Sequence, residues 1–219
     1  MFHRTLALAL LAALVPVAFS QERPKVGGPG QPLSPAEAQK QFRLPAGLRI
    51  ELVAAEPVVQ SPVALAFDPQ GRLWVVEMRD YPNGPAPGQP PEGRLRVLDD
   101  RDGDGVYETG TTFADRLLFA NGLMLWKDGA VVTAAPHIVH LRDTDGDGVA
   151  DVRDVLYEGF AALNPQLRVS HPSLGLDGWV YVANGLRGGA VKRAGRDEVI
   201  NLSGMDFRFD LLRDRGEAI

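Results

Sequence analysis

The sequence predicts an all-β fold, a β-propeller of about three four-stranded blades plus the first strand of a fourth. Three observations carry this. Apolar strand, Gly-ended turn and second apolar strand recur at Pro62–Val76, Gly122–Val132 and Ser173–Val182, which is the pattern of a β-hairpin. Two copies of one acidic loop, DRDGDGVYE and DTDGDGVAD, lie forty-three residues apart, a spacing typical of propeller blades. Helical periodicity is nearly absent throughout.

In chain order, the first element is a leader. Phe2-His-Arg4 precedes an apolar run from Leu6 to Phe19 that ends in a small-x-small pattern at Ala18-Phe-Ser20. Residues 1–20 therefore read as a secretory signal peptide, and the run is short for a membrane span and contains Pro16. The expected product is exported, periplasmic or secreted, with no membrane span after cleavage. Residues 21–45 are rich in Pro, Gly and Gln and read as a linker, in which Ser34-Pro-Ala-Glu37 is a short helix start. The partial propeller is expected over residues 46–219.

Within it the blades are expected at about Leu48–Phe113, Asn121–Gly159 and Val169–Asn201, with a fourth opening at Met205-Asp-Phe-Arg-Phe209. Leu211–Ile219 is expected to abandon the pattern, as in a truncated or frameshifted fragment that would aggregate or pair edge to edge when expressed alone. The chain has no cysteine, which excludes disulfides and a c-type haem attached within it. A net charge of -5, placed largely in the two acidic loops, argues against a nucleic-acid partner.

Each acidic loop has carboxylates at positions 1, 3, 5 and 9, a Gly at 6 and a backbone carbonyl at 7. Those groups are Asp100, Asp102, Asp104, Val106 and Glu108, then Asp143, Asp145, Asp147, Val149 and Asp151. Hard oxygen ligands in that order point to calcium, and the Gly supplies the positive φ of the turn. Leu95 and Val97 alternate with Arg94 and Arg96 ahead of the first loop, so the flank is a strand and not an EF-hand helix. Position 12 is Thr111 in one loop and Asp154 in the other. On ligand count the second loop is therefore expected to be the stronger site.

Four-stranded up-and-down blades place both acidic loops on one face with the DxxG turns. The opposite face is expected to collect Glu77, Arg79, His137, Arg168, His171, Asn184 and Arg187, a convergence of polar groups that makes a candidate ligand site. His171 can act as a general base, and the competing reading is a rim histidine ahead of Pro172. His137 and His140 are three apart in an extended segment and point to opposite faces, so they make no zinc pair. Trp74, Trp126 and Trp179 sit at different offsets from their turns and are expected in packing.

ELVAAEPVVQSPVALAFDPQGRLWVVEMRDYPNG, the DxDGDG loops, NPQLRVSHPSLGLDGWVYVANG and DFRFD resemble the N-terminal domain of the exported "membrane-bound dehydrogenase" family, itself similar to soluble quinoprotein glucose and sorbosone dehydrogenases. The resemblance implies a propeller, calcium and, in longer members, a cytochrome c redox partner. A quinoprotein-like oxidoreductase acting on a sugar or alcohol is then expected to hold the anionic pyrroloquinoline quinone with Arg168, Asn184 and Arg187 of the opposite face, Glu77 and Arg79 lining the pocket. The base of the quinoprotein enzymes stands about ten residues before the third-blade turn Asp. Here that place, counted from Asp177, is Leu167, and His171 lies four residues later. A binding module that takes a glycan or a protein partner without catalysis is the alternative.

Overall fold

The computed structural model describes residues 32–186 and 188–219, in two units. The described part of the first, residues 32–48, holds one short helix, α1 (Pro35–Gln39). Ser34 caps it. Its hydroxyl accepts the Glu37 N–H while the Glu37 carboxylate accepts the Ser34 N–H, a reciprocal capping box, and Pro35 opens the first turn. The signal-peptide reading, and residues 21–31 of the linker reading, fall outside the described residues.

The second unit, residues 49–219, is all-β. Sheet 1 is a four-stranded antiparallel meander of β1 (Pro62–Phe67), β2 (Leu73–Glu77), β3 (Gly93–Asp99) and β4 (Thr109–Leu117). Sheet 2 begins the same way with β5 (Ala120–Trp126), β6 (Gly129–Ala134), β7 (His137–Arg142) and β8 (Val152–Phe160). β9 (Ser170–Leu174) and β10 (Val180–Ala183) open sheet 3.

The third expected blade is corrected here. After β10 the chain returns to sheet 2, where β11 (Gly189–Arg193) pairs with β8 and β12 (Val199–Asn201) pairs with β11, making six strands. Sheet 3 is then completed by β13 (Phe207–Asp210) against β10 and β14 (Arg215–Ala218) against β13. Phe207–Phe209 is thus the third strand of the third sheet and not the opening of a fourth blade. Nor does Leu211–Ile219 abandon the pattern. Asp210 caps the turn by accepting the Leu212 and Arg213 N–H groups, and β14 follows in register.

The reason lies in side-chain volume. Phe207 and Phe209 fill the space between sheets 2 and 3, with ring centroids 4.9 and 5.3 Å from Tyr157. The thinner Val191 is the one buried side chain of β11. Burial in this cluster pushes the Tyr157 phenol up to about 12. Arg193 and Arg196 both pair with Asp214, joining the β11–β12 turn to the β13–β14 turn.

Two cores lie between successive sheets. Ala64, Trp74, Val76, Leu95 and Phe113 of sheet 1 meet Leu123, Val132, Val139 and Leu141 of sheet 2, and Val131, Ile138 and Tyr157 of sheet 2 meet Val180, Val182 and Phe207 of sheet 3. The first strands of the three sheets run as neighbours, β1 beside β5 and β5 beside β9. Trp74 is buried in the first core and Trp126 packs on the second, while Trp179 lies under the guanidinium groups of Arg208 and Arg215 at 4.5 and 4.4 Å. Among the described residues no helix is long and apolar enough to cross a membrane.

Candidate metal centre and the opposite face

The two acidic loops connect β3 to β4 and β7 to β8, and the hydrogen bonds from their main-chain N–H groups repeat position for position. Asp100 accepts the N–H groups of Gly103 and Gly105 at 2.8 and 2.9 Å, and Asp143 accepts those of Gly146 and Gly148 at 2.6 and 2.9 Å. Asp102 and Asp145 each accept the N–H two residues on, and Asp104 and Asp147 accept those of Val106 and Val149, both at 2.8 Å. Glu108 and Asp151 close their loops on the N–H groups of Arg101 and Thr144. Gly103 and Gly146 take φ of 78 and 84°, which only glycine adopts at little cost. The Gly148 and Gly146 N–H groups hold the Asp143 carboxyl below the usual carboxylate range.

One carboxylate oxygen from each of Asp100, Asp102, Asp104 and Glu108 falls in a group whose members lie within 4.8 Å of one another, as does one from each of Asp143, Asp145 and Asp151. Both groups can hold a metal ion. The first group holds four carboxylates and the second three. Asp147 stands outside the second group, and Asp154, the extra ligand expected there, is an ion pair of Arg142 at 2.8 Å on the neighbouring strand. An oxygen-only set, with no histidine in either group among the described residues, suits a hard cation.

Each loop is also tied to the layer before it. The Ala150 N–H donates to the Phe113 carbonyl of β4 at 2.7 Å, and the Tyr107 N–H donates to the Val53 carbonyl at 2.8 Å. Both donors stand at the eighth loop position.

At the opposite ends of the strands, three of the five residues expected to hold a cofactor, Glu77, Arg168 and Asn184, are buried. Glu77 is fully buried and committed, accepting the Gln60 N–H at 2.9 Å and the Arg94 guanidinium. Arg168 is buried too. Its Nε donates to the Ala162 carbonyl and its Nη2 to the Pro82 carbonyl, and the guanidinium lies 3.3 Å from the centroid of the Phe119 ring. Burial lowers its pKa, with Asp80 opposing. Asn184 is buried between Asp206, which accepts its N–H, and the Met205 carbonyl, which accepts its Nδ2. Arg79 is exposed, and Arg187 lies outside the described residues. Glu77, Arg168 and Asn184 each bond the chain itself, while Arg168 Nη1 and Asn184 Oδ1 are buried without a hydrogen-bond partner among the described residues.

His171 is exposed at the start of β9, with φ of 53°. β5 passes so close there that a Cβ on Gly122 would stand 2.7 Å from the His171 backbone nitrogen. A bulge interrupts each first strand near this end, between Pro62 and Ala64, between Ala120 and Gly122, and between Ser170 and Ser173. The sequence reading missed Asn121, which stands at the second bulge and accepts the Thr133 hydroxyl at 2.8 Å. An Asn-Gly pair at a strand start was the signal for it.

A family model described as a domain of unknown function, DUF7133, matches residues 34–219. The chain belongs to the DUF7133 family. No curated protein matches it significantly. The DUF7133 match takes in all fourteen strands and both acidic loops.

Proposed function

We propose that this chain is an exported calcium-binding domain of β-propeller type whose role is to bind a partner, a glycan or a protein. One observation carries the calcium reading, the position-for-position repeat of the main-chain N–H bonds to carboxylates in the two acidic loops. Asp100, Asp102, Asp104 and Glu108 would hold one ion, and Asp143, Asp145 and Asp151 the other. Bound calcium would neutralise carboxylates that otherwise repel one another and would fix the β3–β4 and β7–β8 connections. The propeller reading draws on three antiparallel sheets in succession with neighbouring first strands. Export is read from residues 1–20.

The binding role is preferred to catalysis because Leu167 stands where the quinoprotein base would be and Glu77 is fully buried and bonded to Gln60 and Arg94. A quinoprotein-like oxidoreductase acting on a sugar or alcohol is the second reading, favoured by the exposed His171. Calorimetric titration with calcium, followed by an aldose-dependent dye-reduction assay with added pyrroloquinoline quinone, tests both. Two calcium events without dye reduction support the binding role. Dye reduction that disappears in His171→Ala favours the oxidoreductase, and no calcium heat at all defeats the calcium reading.

A further inference from the structure

In each acidic loop the seventh carbonyl and the eighth N–H belong to one peptide group, and a planar trans peptide points the two in opposite directions. The carbonyl is the one expected on the ion, Val106 in the first loop and Val149 in the second. The N–H goes to the layer before, Tyr107 donating to the Val53 carbonyl at 2.8 Å and Ala150 to the Phe113 carbonyl at 2.7 Å. An ion that fixes the carbonyl therefore also aims the N–H at its acceptor.

The two acceptors differ in what else holds them. Phe113 lies in β4, which is paired along its length with β3, so its place does not depend on the second loop. Val53 belongs to no strand. Residues 53–59 form a strap on sheet 1, and among the described residues the bond from Tyr107 to Val53 is the one main-chain hydrogen bond between strap and sheet, since the Val58 and Val59 N–H groups both turn back to the Ala55 carbonyl. Apolar contact does the rest, Ala54, Val58 and Val59 lying on Leu73, Val75 and Leu98. The far end is pinned where the Gln60 N–H meets Glu77 at 2.9 Å. Leu65 and Phe67 pair directly with Val75 and Leu73, share their face and are exposed. Lifting the strap would join them to Leu73, Val75 and Leu98 in one uncovered apolar surface.

We propose that the first acidic loop is a calcium-operated latch for this strap. Calcium on Asp100, Asp102, Asp104 and Glu108 holds residues 53–59 down, and its loss frees them. The inference rests on the calcium reading of that loop and adds what the ion controls. Such coupling is reciprocal, so loosening the strap must weaken calcium at the first loop and leave the second loop alone.

The test is hydrogen exchange read residue by residue, with a calorimetric calcium titration of the whole chain beside it. On chelation the Val58, Val59 and Tyr107 amides are expected to lose protection while those of Val132 and Val139 in the first core keep theirs. Asp100→Asn should free the strap even in excess calcium, and Asp143→Asn should not. Val59→Ala, and Val58→Ala as a second variant at a less buried position, should weaken one calcium event about fivefold or more and leave the other unchanged. Calcium binding with strap protection unmoved by chelation would overturn the inference alone, as would equal release of the strap in Asp100→Asn and Asp143→Asn. A chain that binds no calcium would lose the calcium reading and the latch together.

Discussion

The Tyr107 N–H donates to the Val53 carbonyl at 2.8 Å, and at the same place in the next sheet the Ala150 N–H donates to the Phe113 carbonyl at 2.7 Å. Val53 therefore stands to sheet 1 as the outermost strand of sheet 1 stands to sheet 2. Ala54, Val58 and Val59 complete the contact on Leu73, Val75 and Leu98. Tyr107 is its anchor, buried, with its hydroxyl donating to the Gly71 carbonyl at 2.6 Å. Tyr107→Phe is expected to cost about 1 kcal/mol, the net worth of one hydrogen bond. Tyr107→Ala should cost about 3 kcal/mol or more, through the cavity it leaves. Urea unfolding of the two variants measures both, and equal losses would show that the ring contributes nothing.

Glu77 and Arg94 form a largely buried ion pair. Removing one partner of such a pair leaves an unpaired buried charge, at a cost of about 3–5 kcal/mol. Arg94→Met is thus expected to lower the unfolding midpoint sharply, while the double variant Glu77→Leu/Arg94→Met recovers much of the loss. A double variant no more stable than the single one would contradict this.

His140 is buried on β7, facing the second core, and its Nε2 has no partner. Burial lowers its pKa, a backbone bond at Trp126 opposes this, and Arg142, Asp128 and Asp154 act around it. The unfolded chain then takes up the proton more readily than the folded one. Stability from this group is fully present above the ordinary histidine pKa of about 6.5 and falls as pH drops below it, by at most about 1.4 kcal/mol per pH unit. Melting temperatures between pH 7.5 and 5 should fall in the parent, and His140→Leu should flatten that part of the curve.

The acidic loops give a paired expectation. Calcium at a hundred times its Kd should stabilise the fold by about 2.7 kcal/mol per site. Asp100→Asn and Asp143→Asn should each remove one event from a calcium titration and leave the other. Melting curves that coincide in chelator and in excess calcium would make both loops ordinary turns.

The first two hairpins and both acidic loops were legible because each rests on neighbours in sequence: alternation in Leu95–Val97, glycine at the sixth loop position, a DxxG turn. Strand partnership in the third sheet was not legible. Val191 and Phe207 both present an apolar side chain in an extended segment, and only the space around Tyr157 and Phe160 decides which strand lies beside β10. The bonding on the opposite face was not legible for a similar reason. Arg168 Nη2 is bonded to the carbonyl of Pro82, eighty-six residues away, and a backbone acceptor leaves no trace in residue identity.

Because the chain leaves sheet 3 after β10, adds a hairpin to sheet 2 and then returns, the sheets differ in when they can form. Sheet 1 closes from consecutive strands as soon as Leu117 is reached. Sheet 3 must wait for Phe207, and by then the β11–β12 hairpin has a place on β8. Pairing that spans more sequence is slower to form. Emergence of the chain from the ribosome should therefore complete the first sheet early and the third last, with Val180 and Val182 uncovered in the interval.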